Sequence, residues 1–362
     1  MTALSADQLD KLRLIRTAHI GPVAYRQLIA RFGTAGRALD ALPDLAARGG
    51  SRAFRPADSR HVRAEAERVG QLGAQYLFLG DADYPALLAT ADAAPVAMIA
   101  RGNVALAARP GVAIVGARNA SAAACRFARE LAHGLAARSI IAVSGLARGI
   151  DTAAHIGATP TSSVAVIGCG IDVVFPPENA ALQEAMASDG LLLTELPPGS
   201  EPLARHFPAR NRIIAWMSLG TVVVEAAPRS GSLLTARLAG EEGREVMAVP
   251  GFPADPRAQG CNSLIREGAT LVQSVDDIIE AISAIDPPAV REPRGDYSAP
   301  PPADLGERER TQVVGLMSMS PVSVDELIRQ TALPPALVQT ALLELEIAGR
   351  LQRHAGGRVS LS

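Results

Sequence analysis

The residues of this chain best suited to chemistry are arginines, one phenylalanine and a set of glycine and serine turns. The stretch Arg205-His206-Phe207-Pro208-Ala209-Arg210-Asn211-Arg212 places three guanidinium groups and a benzyl ring within eight residues. Guanidinium groups neutralise phosphates, and an isolated aromatic offers a stacking face to any base. That combination grips single strands without reading their sequence. A surface helix with solvated charges would carry the same residue types.

Three further segments end in turns that could bind anions. In VAIVGARNAS, Gly116 turns the chain off a strand, Arg118 follows, and Ser121 is placed to cap the next helix, so free amides and a guanidinium meet. The turn lacks the glycines of G-x-G-x-x-G and is not a dinucleotide fingerprint. In IIAVSGLARGIDTAAH, Ser144 and Gly145 end a strand, while Arg148 and Gly149 lead into a helix with Asp151 as its expected N-cap. Asp151 and His155 stand four apart like metal ligands but have no third ligand nearby, so no metal is expected. In TVVVEAAPRSGSLLTARLAG, Glu225 ends a strand, Arg229 follows, and Ser230, Gly231 and Ser232 open a helix as a cradle of amides and hydroxyls. Lys11 is the only lysine, which excludes a G-x-x-x-x-G-K-[ST] loop and the nucleotide hydrolysis that such a loop supports. The segment VIGCGIDVVFP adds Gly168 and Gly170 at a strand end, with Cys169 expected to be a small buried filler.

These turns need elements to hold them. Residues 76–285 alternate short β-rich runs (VAIVG, IIAVSG, SVAVIG, LLLTEL, TVVVEA, VMAVPG) with helical stretches, the pattern of a mostly parallel sheet buried on both faces. An α/β, extended Rossmann-like domain follows, with its turns collected on one sheet edge where ligands bind. Residues 1–75 read as a small helical domain whose Gly21-Pro22 turn resembles half of a helix-hairpin-helix. Residues 286–308 are rich in proline and charge and read as a linker. Residues 309–362 predict three helices and a hairpin with Gly356 and Gly357 at its tip, a winged helix. Its candidate recognition helix, PALVQTALLELEIAGR, holds two glutamates and one terminal arginine. The wing carries Arg353, His354 and Arg358. This favours protein or weak DNA contact over specific duplex reading.

Composition sets outer limits. The formal net charge of the 362 residues is −2, so attraction to a polyanion must come from a local patch. Aromatics make up only 3%, which singles out the one among the arginines at 205–212. Cys125, Cys169 and Cys261 form no C-x-x-C pair, which fits a reducing compartment. The first residues show no signal-peptide pattern and no apolar run is long enough to span a bilayer, so a cytoplasmic protein without membrane contact is expected.

Taken in order, GARNAS, SGLARGIDTAAH, VIGCGIDVVFPPEN, FPARNRIIAWMS, VVVEAAPRSGSLLTA, AVPG and GCNSLIREGA resemble the core of the DNA-processing protein A (DprA/Smf) family. The two ends are similar to that family's sterile-alpha-motif-like and winged-helix domains. The resemblance implies a homodimer that coats incoming single-stranded DNA during natural transformation and loads the RecA recombinase, with no catalysis and no cofactor. By motif, Arg118, Phe207, Asn211 and Arg229 would line the DNA pocket, and Ser144, Gly145, Ser230, Gly231 and Ser232 would offer amides to phosphates. Arg148, Arg210 and Arg212 complete the candidate set. The competing reading is a Rossmann-type nucleotide-processing enzyme similar to phosphoribohydrolases. Such enzymes carry P-G-G-x-G-T-x-x-E, where this chain has APRSGSLLTA and lacks the acid-base glutamate.

Overall fold

The computed structural model describes residues 4–51, 54–283, 305–354 and 356–362. Most of the expected linker, residues 286–304, lies outside them. The described residues form two compact units, one of residues 67–283 and one uniting the N-terminal helices with the C-terminal module. No described helix is long and apolar enough to cross a membrane.

The N-terminal helices are α1 (Ala6–Arg16), α2 (Pro22–Phe32), α3 (Ala35–Arg48) and α4 (Ser59–Gln71), the last leading into the large unit. Ser5 and Gln8 form a reciprocal capping box at the start of α1. Sequence periodicity does not reveal α3, because Pro43 interrupts it. The helix nevertheless buries Leu39, Leu42 and Leu45, and burial of each side chain contributes about 1.5–3 kcal/mol.

The large unit opens with β1 (Gln75–Phe78), α5 (Ala86–Ala89) and β2 (Ala97–Gly102). There follow β3 (Gly111–Gly116), α6 (Ala122–Ala137), β4 (Ile141–Ser144), α7 (Ile150–Ala158), β5 (Ser163–Val166), α8 (Ala180–Ser188) and β6 (Leu191–Thr194). The chain then runs through α9 (His206–Trp216), β7 (Gly220–Val224), α10 (Gly231–Glu241), β8 (Glu245–Ala248), α11 (Gln259–Arg266), β9 (Thr270–Leu271) and α12 (Val275–Ser283). The sheet order is β1-β2-β6-β5-β4-β3-β7-β8-β9, parallel from β6 to β9, with β1 and β2 joined as an antiparallel extension. The six apolar runs read from the sequence are β3 to β8.

The pleat explains their continuous apolarity. Ala113 and Val115 of β3 pack on one core with Ile213 and Trp216 of α9, while Val112 and Ile114 pack on the other with Leu131 and Leu135 of α6. The strand order reverses between β3 and β7, so the crevice at their carboxyl ends is the natural ligand position of an open α/β sheet.

The C-terminal module contains α13 (Glu307–Gly315), β10 (Val322–Ser323), α14 (Val324–Thr331), α15 (Pro335–Ile347), β11 (Leu351–His354) and β12 (Arg358–Leu361), a winged helix. Leu305 is already buried in its core with Val313, Leu327, Val338 and Val359.

Candidate nucleic-acid interface

The crevice forms where loops after β3, β4 and β5 meet the starts of α9 and α10. Two of its loops interlock through a glycine. Gly149 has φ 76°, and a Cβ there would lie 2.3 Å from the Ala117 carbonyl oxygen. Only glycine allows that approach. Ser144 is buried and donates to the Ile114 carbonyl at 2.6 Å, so its hydroxyl fixes the end of β4 and is closed to solvent.

Arg210 is the floor of the crevice. It is only 6% exposed, donates from Nη1 to the Val166 carbonyl, and lies so close over Gly145 that any side chain at that position would collide with its guanidinium. Asp151 faces it. The Asp151 carboxylate accepts from the backbone N–H of Gly145 at 3.2 Å and of Ala147 at 3.4 Å. Gly149, not Asp151, is the N-cap of α7, so the aspartate caps the loop before the helix rather than the helix itself. Burial pushes the Asp151 carboxyl above the usual carboxylate range, against the Arg210 charge and these hydrogen bonds. Burial pulls Arg210 down, with Asp151 opposing and Arg118 adding repulsion. Among the described residues the buried Nε of Arg210 has no hydrogen-bond partner. His155 lies deeper, with Nδ1 2.6 Å from the Ser163 hydroxyl and its pKa held down to about 3 by burial.

Phe207 divides the crevice. Its ring rests on Gly168, where a Cβ would lie 3.1 Å from the ring, and meets Phe175 in a tilted contact with centroids 5.6 Å apart. The exposed Arg118 guanidinium stands 5.3 Å from the same ring centroid, with Arg210 at 5.9 Å. On one side lies a cavity of about 230 Å³ with apolar walls from Ile167, Phe175, Pro176 and Pro177, and Arg148 at its edge. On the other lies a cavity of about 430 Å³ lined by Asn211, Ser230, Gly231, Ser232 and Thr235. Both share Arg118, Phe207 and Arg210.

The start of α10 is open to the larger cavity. Ser230 caps it, accepting from the Ser232 N–H at 3.3 Å, and a Cβ at Gly231 would meet nothing within 4 Å. Asn211 reaches the Gly231 carbonyl at 3.3 Å. The start of α6 is different. Ser121 caps it as expected, but the Glu225 carboxylate accepts from the Ser121 N–H at 2.8 Å and the Ser121 hydroxyl at 2.6 Å. The anion site expected there is filled by the chain's own carboxylate.

The structure thus gathers Arg118, Gly145, Arg148, Phe207, Arg210, Asn211, Ser230, Gly231 and Ser232 around one crevice. Arg212 points away, bonded to Glu195 at 2.6 Å and the Ala93 carbonyl at 2.7 Å, because residues two apart on a helix face opposite sides. Arg229 is exposed in the loop before α10 and does not line either cavity. Arg148 pairs with Glu178 at 3.4 Å. Phe175 and its prolines carry no sequence signal for binding beyond their place in VIGCGIDVVFPPEN.

Four acidic side chains of the large unit are committed to separate partners. Glu195 holds Arg212, Glu225 holds Ser121, Asp151 faces Arg210, and Asp172 accepts from the Gly199 N–H at 2.7 Å. Among the described residues no group of three His, Cys, Asp or Glu side chains could hold a metal ion.

Fold and site define a Rossmann-like α/β protein with a basic, aromatic-walled crevice at its topological switch point. The chain belongs to the DNA recombination-mediator protein A family, which matches residues 75–283. Residues 5–67 match the DprA-like N-terminal HHH domain and residues 298–357 the DprA winged helix domain. The chain is 46% identical over 198 residues to the DNA processing protein DprA of Streptococcus pneumoniae, covering 54% of this chain and 70% of the relative. It is 33% identical over 324 residues to the protein Smf of a Synechocystis strain, covering 81% of each. The solved S. pneumoniae structure aligns with a TM-score of 0.63 at 37% identity, covering 77% of this chain and 98% of that one. The Helicobacter pylori DNA processing protein A, solved for its single-stranded DNA binding mode, aligns with a TM-score of 0.52 at 27% identity, covering 58% and 97%.

Proposed function

We propose that this chain binds single-stranded DNA in the Phe207 crevice, without sequence preference and without altering it, and that as a cytoplasmic homodimer it protects incoming DNA and loads RecA during natural transformation. Residues 76–285 are then the DNA-binding domain, flanked by the helical domain at 1–75 and, beyond the 286–308 linker, the winged helix from 309. The observation that carries this function is the Phe207 ring held between Phe175 and the Arg118 guanidinium, above the buried Arg210 and beside an open helix start. The ring gives any base a stacking face, while Arg118, Asn211 and the amides at Ser230 to Ser232 suit phosphate. The ligand class named for the H. pylori relative is the same. Arg229, exposed beside the crevice, would meet the strand as it leaves.

Titrations of oligothymidine and of a mixed-sequence duplex over a range of salt test this function. Tight binding of single strands with a steep salt slope is expected. Arg118→Ala and Arg229→Ala should each weaken every sequence alike and flatten the slope by about 0.7 for each phosphate left without its cation. Unchanged slopes in both variants, or a preference for duplex, would overturn it.

A further inference from the structure

The recognition helix of a winged helix normally lies in the major groove, presenting the side turned away from the module's own core. In this chain that side is covered. Val338, Ala341, Leu342 and Leu345 of α15 face the module's core, yet Leu343 and Ile347, one turn apart on a different side, are buried as well. The covering elements are α2 and α3 of the N-terminal helices, against which α15 packs.

The seam is close and specific. Gly49, just after α3, approaches the α15 backbone so nearly that a Cβ would lie 2.1 Å from the Glu344 carbonyl oxygen and 2.7 Å from the Ala348 Cβ. Its φ of −73° is open to any residue, so the backbone does not require glycine there; only the approach of α15 does. Arg350 donates to the Gly49 carbonyl at 3.2 Å, and Gln27 of α2 donates to Gln339 of α15 at 2.9 Å. Gly349 would meet the His19 imidazole at 2.9 Å if it carried a Cβ.

We infer that the winged helix is an intramolecular clasp: its recognition helix is committed to α2 and α3, the two ends of the chain fold as one unit, and duplex DNA is not read by α15. The charge pattern agrees. Glu344 and Glu346 sit on this helix, paired within the module to Arg310 and Arg353 at 2.8 Å each, so the wing's Arg353 is engaged internally rather than presented to phosphate.

A protease site placed between residues 290 and 300 of the full chain tests the clasp. After cleavage, the C-terminal fragment should co-elute with the remainder on gel filtration, and an added duplex oligonucleotide should leave it bound. Gly49→Val, which adds volume only where α15 lies, should weaken retention about tenfold or more. The pair Gln27→Ala with Arg350→Ala, which removes two hydrogen bonds without adding volume, should weaken it less and guards against misfolding of the valine variant. Separation of the parent fragment, its displacement by duplex, or retention indifferent to both sets of substitutions would overturn the inference.

Discussion

The starts of α6 and α10 follow neighbouring parallel strands, β3 and β7, and carry the same signals: a serine cap and a turn near an arginine. One is closed by Glu225, which accepts from both the amide and the hydroxyl of Ser121. The other opens onto a cavity of about 430 Å³, and among the described residues no side-chain carboxylate is bonded to its cap. A capped helix start is left open to an outside anion only where the chain does not supply its own. Glu225 holds φ 51°, an uncommon conformation for a residue with a side chain.

The comparison breaks most visibly at Arg210, which supplies the open side with buried positive charge. Arg210→Met removes the buried guanidinium and its hydrogen bond to the Val166 carbonyl, and should cost about 2–3 kcal/mol of stability in urea denaturation. A loss below about 1 kcal/mol would mean that Arg210 does not hold the crevice floor. Next in size is Phe207→Ala, which should weaken oligothymidine binding by about 1–3 kcal/mol while Phe207→Trp keeps most of it. Equal loss in both would assign the ring to packing alone. The smallest effects sharpen the contrast itself. Ser230→Ala should weaken single-strand binding by about 1 kcal/mol. Glu225→Ala should lower stability by a similar amount but leave binding undiminished, and the opposite pattern would exchange the roles of the two helix starts.

Much of this is legible in the sequence for definite reasons. Strands β3 to β8 are buried on both faces, so they stand out as continuous apolar runs bounded by turns. The antiparallel extension does not, because β1 begins on the exposed polar Gln75 and β2 ends in the polar Arg101-Gly102. Arg118, Phe207 and Ser230, which the structure brings to one crevice, stand out as candidates in the sequence because their types suit phosphate and bases. Arg212 groups with Arg210 by proximity in sequence, whereas helical geometry sends it to Glu195. Phe175 escapes notice since an apolar wall carries no chemical signature. The seam at Gly49 joins residues almost three hundred positions apart, and no local pattern reports such a contact.

The central claim is that a single strand lies against Phe207, and photo-cross-linking reports that contact directly. Oligothymidine bearing one 5-iodouracil, irradiated in complex with the full chain and analysed by mass spectrometry, should attach to Phe207 or its neighbour Phe175, with far less product in the Arg118→Ala variant. Attachment concentrated in the winged helix or in α2 and α3, with Phe207 and Phe175 unmodified, would contradict the account.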